Sequence, residues 1–447
     1  MLTLSGQGDS DAKELIVSLS GIRGIYNEDL TLEDVARFTA NFVSATGARE
    51  VLLARDSRTT GPSMSRAAAA GLLSKGATVY EYGVISTPAV FRESRRRSLP
   101  AVMVTASHNE PEFNGLKFIV DGAGIGKETF DVLTAGTKNE HAEFKEGTVK
   151  PAGSPTYVGD LVERFGAGSG RGVRVAVDLG GGAAISHASA LLTRLGCEVI
   201  SVNDSYGIFP RRVDPVSDDL GLLRSSVKES GCDIGLGFDC DGDRLVIVDA
   251  DGRKRTGDYM LTLALSELIS RAKEKRVVVS LDTTQAVEDV ARSLGCEVFR
   301  SKVGEANVVG AMRAHGARLG GEGSSGGVID GGFNYCRDSM LAAVAIIRAL
   351  RTEGKKFYDS VPSYSLARVA LQIPKARALK AIRRLSGEYD LVDTNDGLKI
   401  MLPKKSWVLM RPSGTEDVVR VSAESTSDEK AGSIARLFAR KLKGLSR

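Results

Sequence analysis

Apolar positions along the chain fall into short β-branched runs separated by longer stretches with helical spacing. Residues 51–54, 78–82 and 101–104 predict strands, and 63–73 predicts a helix among them. The same alternation returns at 173–177, 198–202 and 234–238, and again at 277–281 and 297–300. Strands that alternate with helices predict α/β domains with mainly parallel sheets. The pattern repeats, though the letters do not, so it reads as one α/β unit written three times. Pro151, Gly153 and Pro155 cluster within 150–157, which places a seam there; a second lies near Gly252–Gly257 and a third near Pro362. Beyond it the pattern changes. A helix at 375–385 leads into strands at 397–401, 407–410 and 418–422, then a last helix at about 428–443. This predicts a smaller α+β domain. The expected domains are 1–152, 153–254, 255–362 and 363–447, which suits a chain of 447 residues.

Composition narrows the function mostly by exclusion. The 60 basic and 56 acidic side chains leave a net charge of +4, too little to argue for nucleic acid or an anionic membrane. Arg95-Arg96-Arg97 is short, has no interleaved aromatics, and reads as a solvated face. The five cysteines, Cys197, Cys232, Cys240, Cys296 and Cys336, show neither metal-finger nor CxxC spacing. They suit reduced thiols in the cytoplasm. The first twenty residues lack a basic start followed by an apolar core, so no signal peptide is expected. The longest unbroken apolar stretch, 340–347, is far short of the ~20 residues that span a bilayer.

Four segments could carry chemistry. Thr105-Ala-Ser-His-Asn109 follows an apolar strand directly, and ligands in open α/β sheets sit at the carboxyl ends of strands. Ser107 there could carry a transferable group, with His108, Asn109 and Lys117 close in sequence. A simple turn cap explains the local residues equally well, and no GxSxG elbow supports a protease-like triad. Asp239-Cys-Asp-Gly-Asp243-Arg244 follows the apolar strand 234–238. Three carboxylates so close repel one another unless a hard cation neutralises them. In a flat strand Asp239 and Asp243 would stand about 13 Å apart. The segment must therefore curl to share one ion, and Gly242 permits it. A solvated acidic turn is the alternative; an EF-hand is not, since neither its glycine nor its glutamate is in place.

The third segment is Gly320-Gly-Glu-Gly-Ser-Ser-Gly-Gly327, where Glu322, Ser324 and Ser325 offer donors and acceptors suited to sugar hydroxyls. A plain flexible loop fits as well. The fourth is Arg411-Pro-Ser-Gly-Thr415, between two strands of the tail. An arginine fork, two hydroxyls and free backbone N–H groups can cradle a phosphate, whereas a plain β-turn would leave Arg411 unexplained. Two glycine-rich decoys fail on spacing. Gly122–Lys127 is no P-loop, and Gly180-Gly-Gly182 is no dinucleotide loop but a tight strand-to-helix turn.

In order along the chain, these segments resemble the α-D-phosphohexomutase family, which includes phosphoglucomutase, phosphomannomutase and phosphoglucosamine mutase. Gly21-Ile-Arg-Gly24, Thr105–Asn109 with Asn114-Gly-Leu-Lys117, the Asp-x-Asp-Gly-Asp-Arg run and Arg-Pro-Ser-Gly-Thr-Glu416 carry the resemblance across nearly the whole chain. The resemblance implies three similar mixed-sheet α/β domains plus a smaller α+β domain around a central cleft, each contributing a loop. It implies Ser107 as the phosphoserine and, together with Asp239, Asp241 and Asp243, as a ligand of one Mg²⁺. Arg23, His108, Lys117 and Arg244 would stand near the reacting oxygens. Val303, Gly304, Glu322 and Ser324 would contact the sugar. Arg411, Ser413, Gly414 and Thr415 would grip the phosphate that is not being transferred.

Two departures stand out. Many members read Glu-x-Ser-Gly-His in the third loop. Here Ser-Gly-Gly follows Ser324, without histidine and consistent with one residue more, which is similar to archaeal members described as phosphoglucosamine mutases. Lys117 is the candidate to do that histidine's work, as a base whose pKa burial and Arg23 would lower. Glu110 also separates Asn109 from Pro111, where the family usually has proline directly.

The implied reaction interconverts hexose 6-phosphate and hexose 1-phosphate through a bisphosphorylated sugar, with hexose 1,6-bisphosphate as activator. Glucosamine phosphate is the expected sugar, and glucose or mannose phosphate the alternative. A serine phosphohydrolase and a sugar-phosphate sensor are rivals of other classes. The chain is expected to act in the cytoplasm, as a monomer or a homodimer, on a small sugar phosphate, without nucleic acid or membrane.

Overall fold

The computed structural model describes residues 15–135, 147–412 and 418–446. Its four sheets follow the chain in order. The second has strands Glu198–Val202, Arg174–Asp178, Ile234–Phe238 and Leu245–Asp249 side by side. The first three are mutually parallel and the last is antiparallel. In chain order this is a 2-1-3-4 arrangement. The third sheet repeats it with Glu297–Ser301, Arg276–Ser280, Leu319–Glu322 and Gly327–Asp330. The first sheet contains it again: Thr78–Val84, Glu50–Arg55, Ala101–Val104 and Phe113–Val120 pair in the same order and sense. That sheet is extended to eight strands at both edges.

The expected threefold α/β pattern therefore holds at the level of topology. The alternation did not predict the fourth strand of each unit, nor the glycine-rich parallel strand Leu319–Glu322 of the third. Parallel neighbours need a helical crossover, which is what alternation reveals, whereas an antiparallel return needs only a loop. The tail forms a five-stranded antiparallel sheet, Ser365–Gln372 through Val392–Asp393, with helices Lys375–Ser386 and Asp428–Leu445 packed on it.

One apolar core runs through the first three units. Helix Ser339–Glu353 is buried on nearly every face, which explains the apolar stretch at 340–347 without a membrane. No helix among the described residues is long and apolar enough to cross one. All five cysteines are free. The Arg95-Arg96-Arg97 run is not merely a solvated face. Arg95 Nη1 donates to the Gly331 carbonyl (2.7 Å), Arg96 pairs with Asp160 (2.6 Å), and Arg97 lies over the Tyr80 ring. The helix carrying these arginines thus ties the first unit to the second and third. Leu281, Trp407 and Leu409 form a separate cluster that seats the fourth domain on the third. There Lys399 Nζ donates to the Leu281 carbonyl (2.7 Å).

Candidate active site

The repeated topology puts the candidate chemistry at equivalent places. Ser107 lies in the loop between the third and fourth strands of the first unit, Asp239–Asp243 in that of the second, and the Glu322–Gly326 segment in that of the third. Each loop leaves the carboxyl end of a parallel strand and returns antiparallel. Arg411 sits near the end of strand Ser406–Pro412, again before an antiparallel return. Ser413, Gly414 and Thr415 lie outside the described residues.

The acidic loop curls as its length requires. Gly242 has φ +68°, and Asp239 Oδ1 accepts from the backbone N–H groups of Asp243 and Arg244, both at 3.1 Å. Thr87 holds Asp241 from the first unit, its hydroxyl donating to Oδ2 at 2.5 Å and its N–H to the carbonyl. One carboxylate oxygen from each of the three aspartates lies within 4.8 Å of the others, all three residues being buried. Asp241 Oδ1 and Asp243 Oδ1 are buried with no hydrogen-bond partner. Orphaned hard oxygens in a buried cluster fit a hard divalent cation.

Ser107 reaches this cluster from the first unit. Its hydroxyl donates to Asp239 Oδ2 at 3.2 Å and lies 3.5 Å from His108 Nδ1. Its backbone is left-handed, with φ +53°, and the residue is fully buried. Such a conformation persists only where surroundings impose it. Arg58 does so, with Nη1 donating to the carbonyls of Glu110 (2.6 Å) and Phe113 (2.9 Å), and Nη2 to those of Ser107 (2.8 Å) and Asn109 (2.6 Å). Its Nε pairs with Asp56, which also accepts from the Thr105 hydroxyl. Sequence reading missed Arg58. The available signal was its position just beyond the carboxyl end of strand Glu50–Arg55.

A cleft of about 960 Å³ opens among the four domains. Arg23, His108, Lys117 and Arg244 line one part of it, Val303, Gly304, Glu322 and Ser324 another, and Arg411 a third. The expected residues that the structure describes are thus brought together. Arg23 Nη1 donates to Asn109 Oδ1 (3.0 Å), and Arg244 Nη2 stands 3.4 Å from His108 Nε2. Gly304 N–H donates to Glu322 Oε1 (2.6 Å), so the two sugar-loop candidates are joined. Val303 N–H donates to Asp396 of the fourth domain (3.0 Å), and Asp396 faces Arg411 at 3.8 Å.

Burial, reinforced by Arg244, Arg23 and Arg337, pushes the His108 pKa down to about 2, so the ring is neutral. Burial lowers Arg23 to about 10. It pushes Asp239 well up, with Asp241 and Asp243 adding to the effect. Lys117 corrects an expectation. Burial alone would lower its pKa, but Asp241 at 2.6 Å and Asp243 at 2.8 Å outweigh both burial and Arg23, and the pKa is raised. Lys117 is thus the counter-ion of the two carboxylates in this structure. A second residue missed from sequence is Arg337, whose Nη2 donates to Asp243 Oδ2 at 2.8 Å. Nothing in its local sequence marks it.

Models of the four phosphoglucomutase/phosphomannomutase domains match in order: the first α/β/α domain at residues 15–143, the second at 155–252, the third at 256–365 and the C-terminal domain at 366–441. A protein of Methanopyrus kandleri named "Probable phosphoglucosamine mutase" is 32% identical over 428 residues, covering 92% of this chain and 94% of its own. A phosphoglucomutase/phosphomannomutase of Thermococcus kodakarensis is also 32% identical, with the same coverage of 92% and 94%. The crystal structure of a phosphoglucomutase/phosphomannomutase family protein from Burkholderia thailandensis superposes with a TM-score of 0.85 at 28% identity, covering 96% of this chain and 98% of that one. With four matched domains and one shared architecture, the chain belongs to the phosphoglucomutase/phosphomannomutase family.

Proposed function

We propose that this phosphohexomutase interconverts the 6- and 1-phosphates of a hexose through a phosphorylated Ser107, with glucosamine phosphate as its preferred sugar. The observation that carries the reading is Ser107 Oγ, 3.2 Å from Asp239 Oδ2, buried behind a cleft lined by Arg23, Lys117, Arg244 and Arg411. A hydrolase or a sensor has no need of so many cations spread over three domains, whereas a substrate with phosphate at either end does.

Asp239, Asp241, Asp243 and Ser107 would hold one Mg²⁺, which when bound neutralises charge on the phosphoryl group in transfer. The chain's own residues do the rest. Phosphorylated Ser107 passes its phosphoryl group to the free hydroxyl of the sugar phosphate: the Ser107 Oγ–P bond breaks, the sugar O–P bond forms and the hydroxyl proton ends on Ser107 Oγ, giving hexose 1,6-bisphosphate. Arg23, Arg244 and neutral His108 donate hydrogen bonds to the oxygens around that group. Lys117 keeps Asp241 and Asp243 compensated. Val303 and Gly304, with Glu322 and Ser324, orient the ring. Arg411, with Ser413, Gly414 and Thr415, holds the other phosphate. The bisphosphate then turns over, its second phosphate passes to Ser107, and the isomer leaves. Free hexose 1,6-bisphosphate is the activator because it can phosphorylate an empty Ser107.

Glucosamine phosphate rests on the third loop, which lacks histidine, and on the name of the Methanopyrus relative. The equally identical Thermococcus relative favours a second reading, in which neutral glucose and mannose phosphates serve. A coupled assay with Mg²⁺ and trace hexose 1,6-bisphosphate separates them. Glucosamine 6-phosphate is expected to turn over at least about tenfold faster than glucose or mannose 6-phosphate, the scale of one lost hydrogen bond to a charged group. Equal rates would establish the neutral-sugar reading, and phosphate release without isomerisation would establish a hydrolase.

Arg411→Ala should raise KM by about 10- to 100-fold, matching the loss of about 1.5–3 kcal/mol from one charge-assisted contact. It should also release more free bisphosphate per turnover. Unchanged KM would place the distal phosphate elsewhere.

A further inference from the structure

Gly327 opens strand Gly327–Asp330, and its φ lies outside the left-handed region. Its backbone therefore has no conformational need for glycine. What excludes a side chain there is Arg337. A Cβ on Gly327 would meet Arg337 Cδ at 2.3 Å and Cγ at 2.4 Å. The stem of Arg337 thus runs through the space a side chain at 327 would fill.

The head group lands between two of the loops already described. Nη2 donates to Asp243 Oδ2 at 2.8 Å, and Nη1 lies 3.7 Å from Glu322 Oε2 of the sugar loop. Glu305 fixes the residue from the other side. Its Oε2 accepts from the Arg337 N–H at 2.9 Å and lies 3.2 Å from Nε, which lacks hydrogen-bond geometry. Arg337 also lines the cleft beside Arg23 and Arg244. The guanidinium stands between Asp243 of the acidic loop and Glu322 of the sugar loop.

We propose that Arg337 is a substrate-contacting residue, donating to the oxygen shared between sugar and transferring phosphoryl group from the space that a side chain at position 327 would occupy. The proposal rests on the mutase reading of the site and deepens it. Counting the extra residue of this loop, position 327 is where the Glu-x-Ser-Gly-His pattern has its histidine. The shorter glycine and the longer arginine are then one exchange: the donor comes from the following loop instead of from the sugar loop itself.

The test uses the full chain with Mg²⁺ and trace hexose 1,6-bisphosphate. Arg337→Ala is expected to lose about 100-fold or more in kcat, the scale of one donor to a developing charge. KM should change less than about threefold, because the contact strengthens in the transition state. Arg337→Lys should recover part of kcat. Gly327→Ala, which keeps every charge and only displaces a flexible stem, should lose kcat in the same sense; it serves as the measure should Arg337→Ala not fold. Adding Gly327→His to Arg337→Ala should restore kcat at least about tenfold over the single variant. Wild-type kcat in both Arg337→Ala and Gly327→Ala would overturn the proposal, and so would a double variant no faster than the single one. A wild-type protein that isomerises none of the three hexose 6-phosphates is a different failure. It would overturn the mutase reading, and this proposal with it.

Discussion

Replacing Ser107 by alanine is expected to abolish isomerisation while leaving the protein folded. Loss of a covalent nucleophile in a coupled site costs about 10⁵–10⁶-fold, since the remaining groups can only orient and polarise. The folded state loses little. Ser107 Oγ makes one hydrogen bond, to Asp239, and one longer approach to His108. Removal of such a bond costs about 1 kcal/mol. Alanine bears the same left-handed backbone as serine, so the φ of +53° adds no new strain. Two measurements check this together: turnover in the coupled assay, and transfer of labelled phosphate from hexose 1,6-bisphosphate to the protein. Wild-type protein should take up label and Ser107→Ala should take up none, with unfolding midpoints nearly equal. Labelling that survives in the variant would move the phosphorylation site to another hydroxyl. Turnover that survives without labelling would mean direct transfer between sugars.

The sequence marked the candidate site wherever the chain itself gathers it. Asp239, Asp241 and Asp243 are close in space because they are close in sequence and because Gly242 lets the segment curl. Ser107 could be placed because it follows an apolar strand, and strand ends are where open α/β sheets bind ligands; Arg411 could be placed because an arginine beside two hydroxyls and free N–H groups exceeds what a turn needs. The threefold pattern was legible for the same reason: parallel strands require helices between them, and the two periodicities are distinct. What escaped depends on approach through space. Arg337 comes from 94 residues beyond Asp243, and Thr87 from 154 residues before Asp241. The sign of the Lys117 shift was missed for a related reason. Burial and a neighbouring arginine were readable, but the outcome turns on two carboxylates at 2.6 and 2.8 Å from its Nζ. The Arg95-Arg96-Arg97 run shows the same limit, because its partners Asp160 and Gly331 belong to other units.

Arg58 is where a purely structural contact should show the largest loss of stability and carry activity with it. Its guanidinium is fully buried, donates to four backbone carbonyls of the Ser107 loop, and pairs with a buried Asp56. Arg58→Met keeps the stem and removes every donor. Breaking one partner of a buried pair costs about 3–5 kcal/mol, because the remaining carboxylate is left uncompensated. Here the Thr105 hydroxyl, at 2.6 Å from Asp56 Oδ2, offsets some of that, while the four carbonyls add to it. Denaturant unfolding of Arg58→Met should therefore show a loss of about 3–5 kcal/mol. Arg58→Lys separates anchoring from charge. Lysine restores the counter-charge to Asp56, but three donors on one nitrogen cannot span carbonyls from residue 107 to 113. It should recover stability more than activity, with kcat reduced about 10-fold or more and KM nearly unchanged, because a 1 Å misplacement of a nucleophile is felt in the transition state. If both variants keep wild-type kcat, then the Ser107 N–H bond to Thr105 (2.8 Å) and the Asp239 contact suffice to hold the serine, and the left-handed turn is stable without its clamp.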